Sequence, residues 1–255
     1  MSADLRQAAA DAIDAPGTSE GLWAAWDALH RLPTAALPGG PVVAVAAHPD
    51  DEVLGFGGTL ARLAAAGTEV HVMTITDGEL SHPHSTVVTP QQLARTRSSE
   101  LRSALAVLGL PDVRPVRLGV PDTQVDRHEA AVAGRLAALL RETGAAWCAA
   151  PWSGDLHSDH EAAGRAARRV CRQAGVRLWM YPVWMWHWAR PGDPRVPWGD
   201  AALLRLPADV AALKAAAIGQ FVSQLHPLGE GAHNAAILPP EEVAHHARRF
   251  EVVFR

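Results

Sequence analysis

An unbroken apolar run, Val42-Val43-Ala44-Val45-Ala46-Ala47, passes directly into His48-Pro49-Asp50-Asp51-Glu52, so a buried segment ends in groups that bind metal or move protons. It is the first of a series. From here to the end of the chain, apolar strand-like stretches alternate with amphipathic ones, the pattern of stacked βαβ units around a parallel sheet. The spacing predicts strands over 42–47, 69–75, 113–118, 146–150 and 177–182, and helices over 57–66, 90–108, 126–142, 160–174 and 208–222. Leu101, Leu105 and Leu108 hold helical spacing until Gly109 and Pro111 stop the second of these helices. A last helix over 240–249 and a short strand from Glu251 to Phe254 end the pattern. Residues 183–206, with Trp184, Trp186, Trp188 and Trp198 among prolines and glycines, read as a long irregular loop.

The expected fold is therefore α/β: a Rossmann-like, mostly parallel sheet flanked by helices, in a single domain of residues 40–255. Residues 1–39 carry helical patterns around Leu5 to Ile13 and Leu22 to Leu32, broken at Pro33 and at Pro38-Gly39-Gly40-Pro41, and read as a helical N-terminal extension. A length of 255 residues, 48% hydrophobic and 20% charged, supports one such core. A net charge of -4 without any Lys/Arg-rich run argues against a nucleic-acid partner. No stretch approaches the ~18 uninterrupted apolar residues of a membrane span, and the first residues lack a basic region followed by an apolar one, so a cytoplasmic protein is expected. Cys148 and Cys171 are too few for a disulfide framework or a cysteine zinc site and read as reduced core residues.

A second cluster, Asp155-Leu156-His157-Ser158-Asp159-His160, follows another strand about a hundred residues after the first. In open parallel sheets, ligands sit beyond the carboxyl ends of the strands, so the two clusters can converge. His48 and Asp51, three residues apart at a turn entering a helix, can face one side while Asp50 points elsewhere. A catalytic zinc takes three protein ligands and keeps an open position, and His48, Asp51 and His160 supply that set. Asp50 is then placed as general base and His157 as donor to a developing oxyanion, with Asp159 orienting the His157 ring. Iron(II) suits the same His₂-carboxylate donors. Taken singly, the first cluster reads as an acidic helix start and His157/His160 as exposed polar residues; their coincidence after successive strand ends favours the metal site. Gly55, Gly57 and Gly58 do not make a dinucleotide loop, because they begin well past the strand and Leu60 stands where a third glycine is needed.

These residues resemble the PIG-L/LmbE-like zinc N-deacetylases, which remove acetyl groups from N-acetylglucosamine conjugates. The resemblance rests on Ala47-His48-Pro49-Asp50-Asp51-Glu52, Gly57-Gly58, Thr76-Asp77-Gly78-Glu79, Arg97-Ser98-Ser99-Glu100, Leu118-Gly119-Val120-Pro121-Asp122 and Asp155-x-His157-x-Asp159-His160, with Lys214 and Ser223-Gln224 as a weaker C-terminal part. It implies zinc on His48, Asp51 and His160, Asp50 as base, His157 as electrostatic catalyst, and Arg97 and Asp122 gripping sugar hydroxyls. Ser158 stands where relatives often have proline, and Asp155 where some have tyrosine. The expected activity is hydrolysis of an N-acetyl group on a small acetylated amino-sugar conjugate; the alternatives are an O-acetyl sugar esterase with the same metal site and a non-catalytic sugar-binding module.

Residues 1–39 and the tryptophan-rich segment lie outside the resemblance. Trp184 and Trp186 suit the apolar side of a sugar ring or an acyl or aromatic aglycone, or else cover a sheet edge or a homo-oligomer interface. His82, His84, His226 and His233 read as solvated loop residues.

Overall fold

The computed structural model describes residue 13 and residues 15–37 and 39–255. The helical pattern expected over Leu5 to Ile13 lies, Ile13 apart, outside the described residues. Seven strands form one sheet: β1 (Val42–Ala46), β2 (Val70–Thr74), β3 (Val116–Arg117), β4 (Trp147–Pro151), β5 (Arg177–Tyr181), β6 (Ala201–Arg205) and β7 (Phe250–Phe254). Their spatial order is β3-β2-β1-β4-β5-β7-β6. The first five are mutually parallel, and β7 runs antiparallel to both β5 and β6. The expected Rossmann-like, mostly parallel sheet is what the chain forms.

Helices α1 (Glu20–Ala24) and α2 (Asp27–His30) precede the sheet. The crossovers carry α3 (Asp51–Ala65), α4 (Pro90–Val107), α5 (Glu129–Thr143) and α6 (Ser158–Ala174). Four more follow β5: α7 (Met185–Trp188), α8 (Ala208–Ile218), α9 (Val222–Leu225) and α10 (Pro240–His246). Side chains of α3 and α4 form one core with one face of the sheet, around Phe56, Leu60, Leu101 and Leu105; those of α5 and α6 form a second with the other face, around Leu136, Leu139 and Val170. β1 is buried at every residue, as a strand covered on both faces must be. A third cluster of Trp23, Trp186, Met185, Phe250 and Phe254 fixes α1 and α7 to the antiparallel edge. Among the described residues no helix is long and apolar enough to cross a membrane.

Several expected boundaries change; the helices expected over 208–222 and 240–249 end earlier, at Ile218 and His246, and three further changes bear on the site and the sheet edge. The helix expected from residue 57 begins at Asp51, so the metal-cluster residue Asp51 is already helical. Glycines disguised this turn in the sequence, and packing explains one of them: a Cβ on Gly55 would lie 2.2 Å from the Tyr181 ring. The strand expected over 113–118 contracts to Val116–Arg117, since Pro115 just before it has no N–H for a ladder. The loop expected over 183–206 contains α7 and all of β6, which pairs with β7 from Ala201↔Phe254 to Arg205↔Phe250. That pairing is with the far end of the chain, so no local pattern announces it.

Candidate metal centre and catalytic pocket

The sheet order turns at β1, which has β2 on one side and β4 on the other. Ligands in such sheets bind at this switch point, beyond the strand ends. Residues 48–52 leave β1 there and residues 152–160 leave β4 there, so the topology alone brings the two clusters together. Local backbone sharpens the turn: Thr123 and Leu156 are the non-glycine residues with positive φ among those described, at 67° and 62°, and both flank the site.

His48 Nδ1 lies 3.2 Å from His160 Nε2, and the Asp51 carboxylate lies 3.2 Å from His160 Nε2 and 3.7 Å from His48 Nδ1. The opposite ring nitrogens are committed. His48 Nε2 meets Asp122 Oδ1 at 3.0 Å and Asp159 Oδ2 at 3.2 Å, while His160 Nδ1 meets Asp155 Oδ2 at 2.7 Å. Carboxylates accept only, so each of these nitrogens carries the proton and the two inward nitrogens are left as facing lone pairs in the neutral rings. Facing lone pairs and a carboxylate make a pocket that a cation, a metal ion or a proton on one ring, stabilises. Tetrahedral zinc, with bonds of about 2.0–2.1 Å, sets its ligand atoms roughly 3.3 Å apart, close to the spacing of the two imidazole nitrogens and of His160 Nε2 from Asp51 Oδ1, while the 3.7 Å to His48 is made by the other oxygen, Oδ2. The wider charge balance agrees: Asp50, Asp51, Asp122, Asp155 and Asp159 are all buried, and against them stands the Arg97 guanidinium. The donor set therefore fits a divalent metal, with imidazoles held by carboxylates as in other histidine metal sites.

The ionisation of these groups follows the same field. Burial disfavours the charged form of His160, but Asp51 and Asp155 outweigh it and raise its pKa to about 9; against the same burial, Asp122 in the first place raises His48 well above the ordinary histidine range. Burial works against Asp51 too, yet His160 and His48 hold its pKa well below the usual range. Asp50 differs. Burial raises it to about 6 although Arg97 Nη2 donates to its Oδ2 at 2.9 Å, which leaves a carboxylate poised close to neutrality. His157 is lowered to about 3 by burial and by the neighbouring His160 and His48, so its ring is neutral. Its Nδ1 accepts the Asp159 N–H at 3.3 Å as the cap of α6, which puts the ring proton on Nε2.

The expected ligand trio, base and His157 thus meet at one place: His48, Asp50, Asp51 and His157 line a cavity of about 640 Å³ together with Arg97, Asp122 and Trp184, and His160 lies fully buried against them. Two expected roles need correction, and that of Asp122 widens. Asp159 orients His48, and its carboxylate accepts the Thr123 and Val125 N–H groups; it makes no hydrogen bond to the His157 ring from its side chain. Asp122 holds His48 as well as lining the cavity: its Oδ1 is engaged by His48 and the Thr123 N–H, and its Oδ2 by the Leu80 N–H. Trp186 is 4% exposed, edge-on to Trp23 at 5.1 Å with Arg248 over its face at 3.9 Å, and does not line the cavity. Arg97 is tied to Asp50, Pro49 and Gly78. His82, expected in solvent, is buried and meets the Ala235 carbonyl.

Asp155 is the residue whose importance the sequence concealed. It is fully buried, holds His160, and accepts the N–H groups of Val183, Trp184 and Met185. One carboxylate so ties a metal-site histidine to the start of the tryptophan-rich segment. The only hint was its spacing in D-x-H-x-D-H.

The chain matches the family described as "PIG-L: GlcNAc-PI de-N-acetylase" over residues 43–171. The 1D-myo-inositol 2-acetamido-2-deoxy-alpha-D-glucopyranoside deacetylase of Rhodococcus opacus (strain B4) is 32% identical over 195 residues, covering 67% of this chain and 62% of that protein. The protein of the same name from Kineococcus radiotolerans is 43% identical over 76 residues, 29% of this chain and 21% of its own length. The chain thus spans less than two thirds of the length of these relatives. Among solved structures, a conserved protein from Thermus thermophilus superposes with a TM-score of 0.56 at 30% identity, covering 72% of this chain and 79% of that one. A teicoplanin deacetylase complex, at 17% identity and a TM-score of 0.64, shares the fold over 84% of this chain and 96% of that one. Since the family match runs from β1 through both clusters into the helix that carries His160, the chain belongs to the PIG-L, GlcNAc-PI de-N-acetylase family.

Proposed function

We propose that the protein is a zinc-dependent hydrolase that removes the N-acetyl group from an N-acetylglucosamine-type small conjugate, releasing acetate and a free amine. The observation that carries this reading is Asp50. A binding module needs the metal donors, but it has no use for a second, unliganded carboxylate held by Arg97 beside them. The relatives named as deacetylases of an acetylated glucosaminyl inositol support the substrate class.

His48, Asp51 and His160 would hold the metal, which supplies Lewis acidity toward the amide carbonyl and a more acidic attacking water. Asp50 takes the proton of that water as it attacks, and its raised pKa lets it pass the proton on to the leaving nitrogen near neutral pH. Arg97 fixes the carboxylate's direction. His157 lines the cavity with its ring proton on Nε2, and that N–H would donate to the oxygen on which charge develops, a contribution typically of about 10²–10³ in rate. Asp122, Asp159 and Asp155 keep the two metal-site imidazoles in the required tautomers.

The test is free-amine release from a panel of N-acetylglucosaminides by metal-loaded protein, beside a chelator-treated control and the matching O-acetyl esters. Chelator-sensitive amine release is the expected result. Release of acetate from esters alone would replace this reading with the esterase, and no turnover with zinc bound would replace it with the binding module.

A further inference from the structure

A second cavity, of about 620 Å³, lies at the antiparallel edge of the sheet and shares none of its described lining residues with the catalytic one. It forms where residues 34–37 part from β6. As far as Ala35 that segment covers the strand edge: the Leu203 N–H donates to the Pro33 carbonyl at 2.8 Å, and the Ala35 N–H donates to the Leu203 carbonyl at 2.8 Å. Peptide directions repeat every two residues along a strand, so Arg205 turns its own N–H and C=O to this edge. The carbonyl accepts Arg62 Nη1 at 2.8 Å, and the N–H has no acceptor among the described residues. Arg62 in the last turn of α3, Arg205 at the end of β6 and Arg249 just before β7 line the cavity together. The rest of its lining includes Leu37, Leu206 and Pro207 but, among the described residues, no carboxylate. In a chain of net charge -4, several other arginines are held in ion pairs, Arg117 with Asp77, Arg135 with Glu142 and Arg195 with Asp193. Among the described residues these three have no such partner: Arg62 and Arg205 each give one N–H to a backbone carbonyl, of Arg205 and of His30, and Arg249 gives none.

We propose that this cavity binds a phosphoryl group, the dianionic end of a small phosphorylated molecule, at a site separate from the catalytic centre. Three guanidiniums and a strand-edge N–H supply donors only, and such a set fits a ligand that only accepts. A phosphoryl dianion presents three acceptor oxygens, and the planar guanidinium fork grips such oxygens in pairs, with charge-assisted hydrogen bonds stronger than neutral ones. A single carboxylate has two oxygens and one charge, and leaves more of the donor set unmet. The cavity is also larger than a bare phosphate needs, and Leu37, Leu206 and Pro207 make part of its wall apolar, so the phosphoryl group carries an organic body that packs there. The inference is independent of the deacetylase reading, because no residue of the metal centre takes part.

The experiment is calorimetric titration of the full-length, zinc-loaded protein at fixed ionic strength, with inorganic phosphate, pyrophosphate and glucose 6-phosphate as probes and succinate as the carboxylate control. Saturable binding of glucose 6-phosphate is expected, at least about tenfold tighter than succinate, and weakened at least about tenfold by Arg62→Gln and by Arg249→Gln. Arg249 is exposed and makes no hydrogen bond, so its variant keeps the fold, which circular dichroism checks. Phosphate binding that both variants leave unchanged, or that disappears when a chelator removes the zinc, would place the anion on the metal and overturn the proposal. Absence of saturable binding, or succinate bound as tightly as the phosphate ester, would overturn it as well. Flotation with phosphatidylcholine vesicles, with and without phosphatidic acid, separates the two sources of a phosphoryl group. Vesicle binding that needs phosphatidic acid and is lost in Arg249→Gln, with no binding of the soluble probes, would keep the phosphoryl site but overturn the soluble ligand in favour of a lipid headgroup.

Discussion

Adjacent aspartates, Asp50 and Asp51, have opposite electrostatic fates. Burial pushes Asp50 up to about 6, while the imidazoles of His160 and His48 hold Asp51 far down. Their separation follows from one step of backbone at the start of α3, which turns Asp51 to the histidines and Asp50 to Arg97. Asp50→Asn should keep zinc and lose about 10²–10⁴ in kcat, measured as amine release beside metal content; a near-normal rate would remove Asp50 from the proton pathway. Asp155→Asn tests a positioning residue instead. Losing the carboxylate that fixes His160 should weaken zinc about 10–100-fold in a competition titration with a chromophoric chelator, with the fold retained by circular dichroism. Unchanged zinc affinity would reduce Asp155 to a brace for residues 183–185. The cluster motifs made the site's membership legible, because H-P-D-D-E and D-x-H-x-D-H bring specific donors to strand ends. They did not show who orients whom: Asp159 and Asp122 both turn to His48, a pairing created by the loop after β3 folding over the switch point, which no spacing along the chain encodes.

Elements whose pattern is self-contained came through at nearly their true bounds. β5 and α4 each carry their own periodicity and stops, and the capping box of Thr89 with Gln92 opens α4 where Pro90 marks it. Elements defined by a distant partner did not. β6 exists because β7 pairs with it, and Gly55, which helped to mask the first turns of α3 in the sequence, is there because Tyr181 leaves no room for a side chain. The tryptophan-rich segment divides along the same line. Trp184 turns to the cavity, whereas Trp186 locks α7 to α1 and the antiparallel edge through Trp23, whose indole N–H donates to the Trp186 carbonyl at 2.9 Å. Trp186→Ala should therefore cost about 3–5 kcal/mol of stability, read from urea or thermal unfolding, with KM unchanged at temperatures where the variant is folded. A raised KM with normal stability would return Trp186 to the substrate.

Across the whole molecule, the C-terminal residues clamp the helix that begins with Asp51, the proposed metal ligand. Glu251 on β7 accepts the Gly58 and Thr59 N–H groups and the Thr59 hydroxyl, and pairs with Lys214 of α8 at 2.8 Å. His246, at the end of α10, reaches the same helix through the Leu54 carbonyl at 3.1 Å, so its Nδ1 carries the proton. Burial, and then the charges of Lys214, His245 and Arg248, hold its pKa well below 6.5. The folded protein keeps this ring neutral, whereas the unfolded chain protonates it once the pH falls below about 6.5. Over that window the unfolded state binds more protons, so this group lowers stability as pH drops and adds no slope above it. His246→Asn retains a donor without the titration. Urea midpoints measured between about pH 5 and 8 should fall toward acid less steeply for the variant than for the parent chain, the two curves running parallel above the histidine range. Curves that stay parallel throughout would mean that His246 protonates freely in the folded state, and that the clamp between α10 and α3 opens without cost.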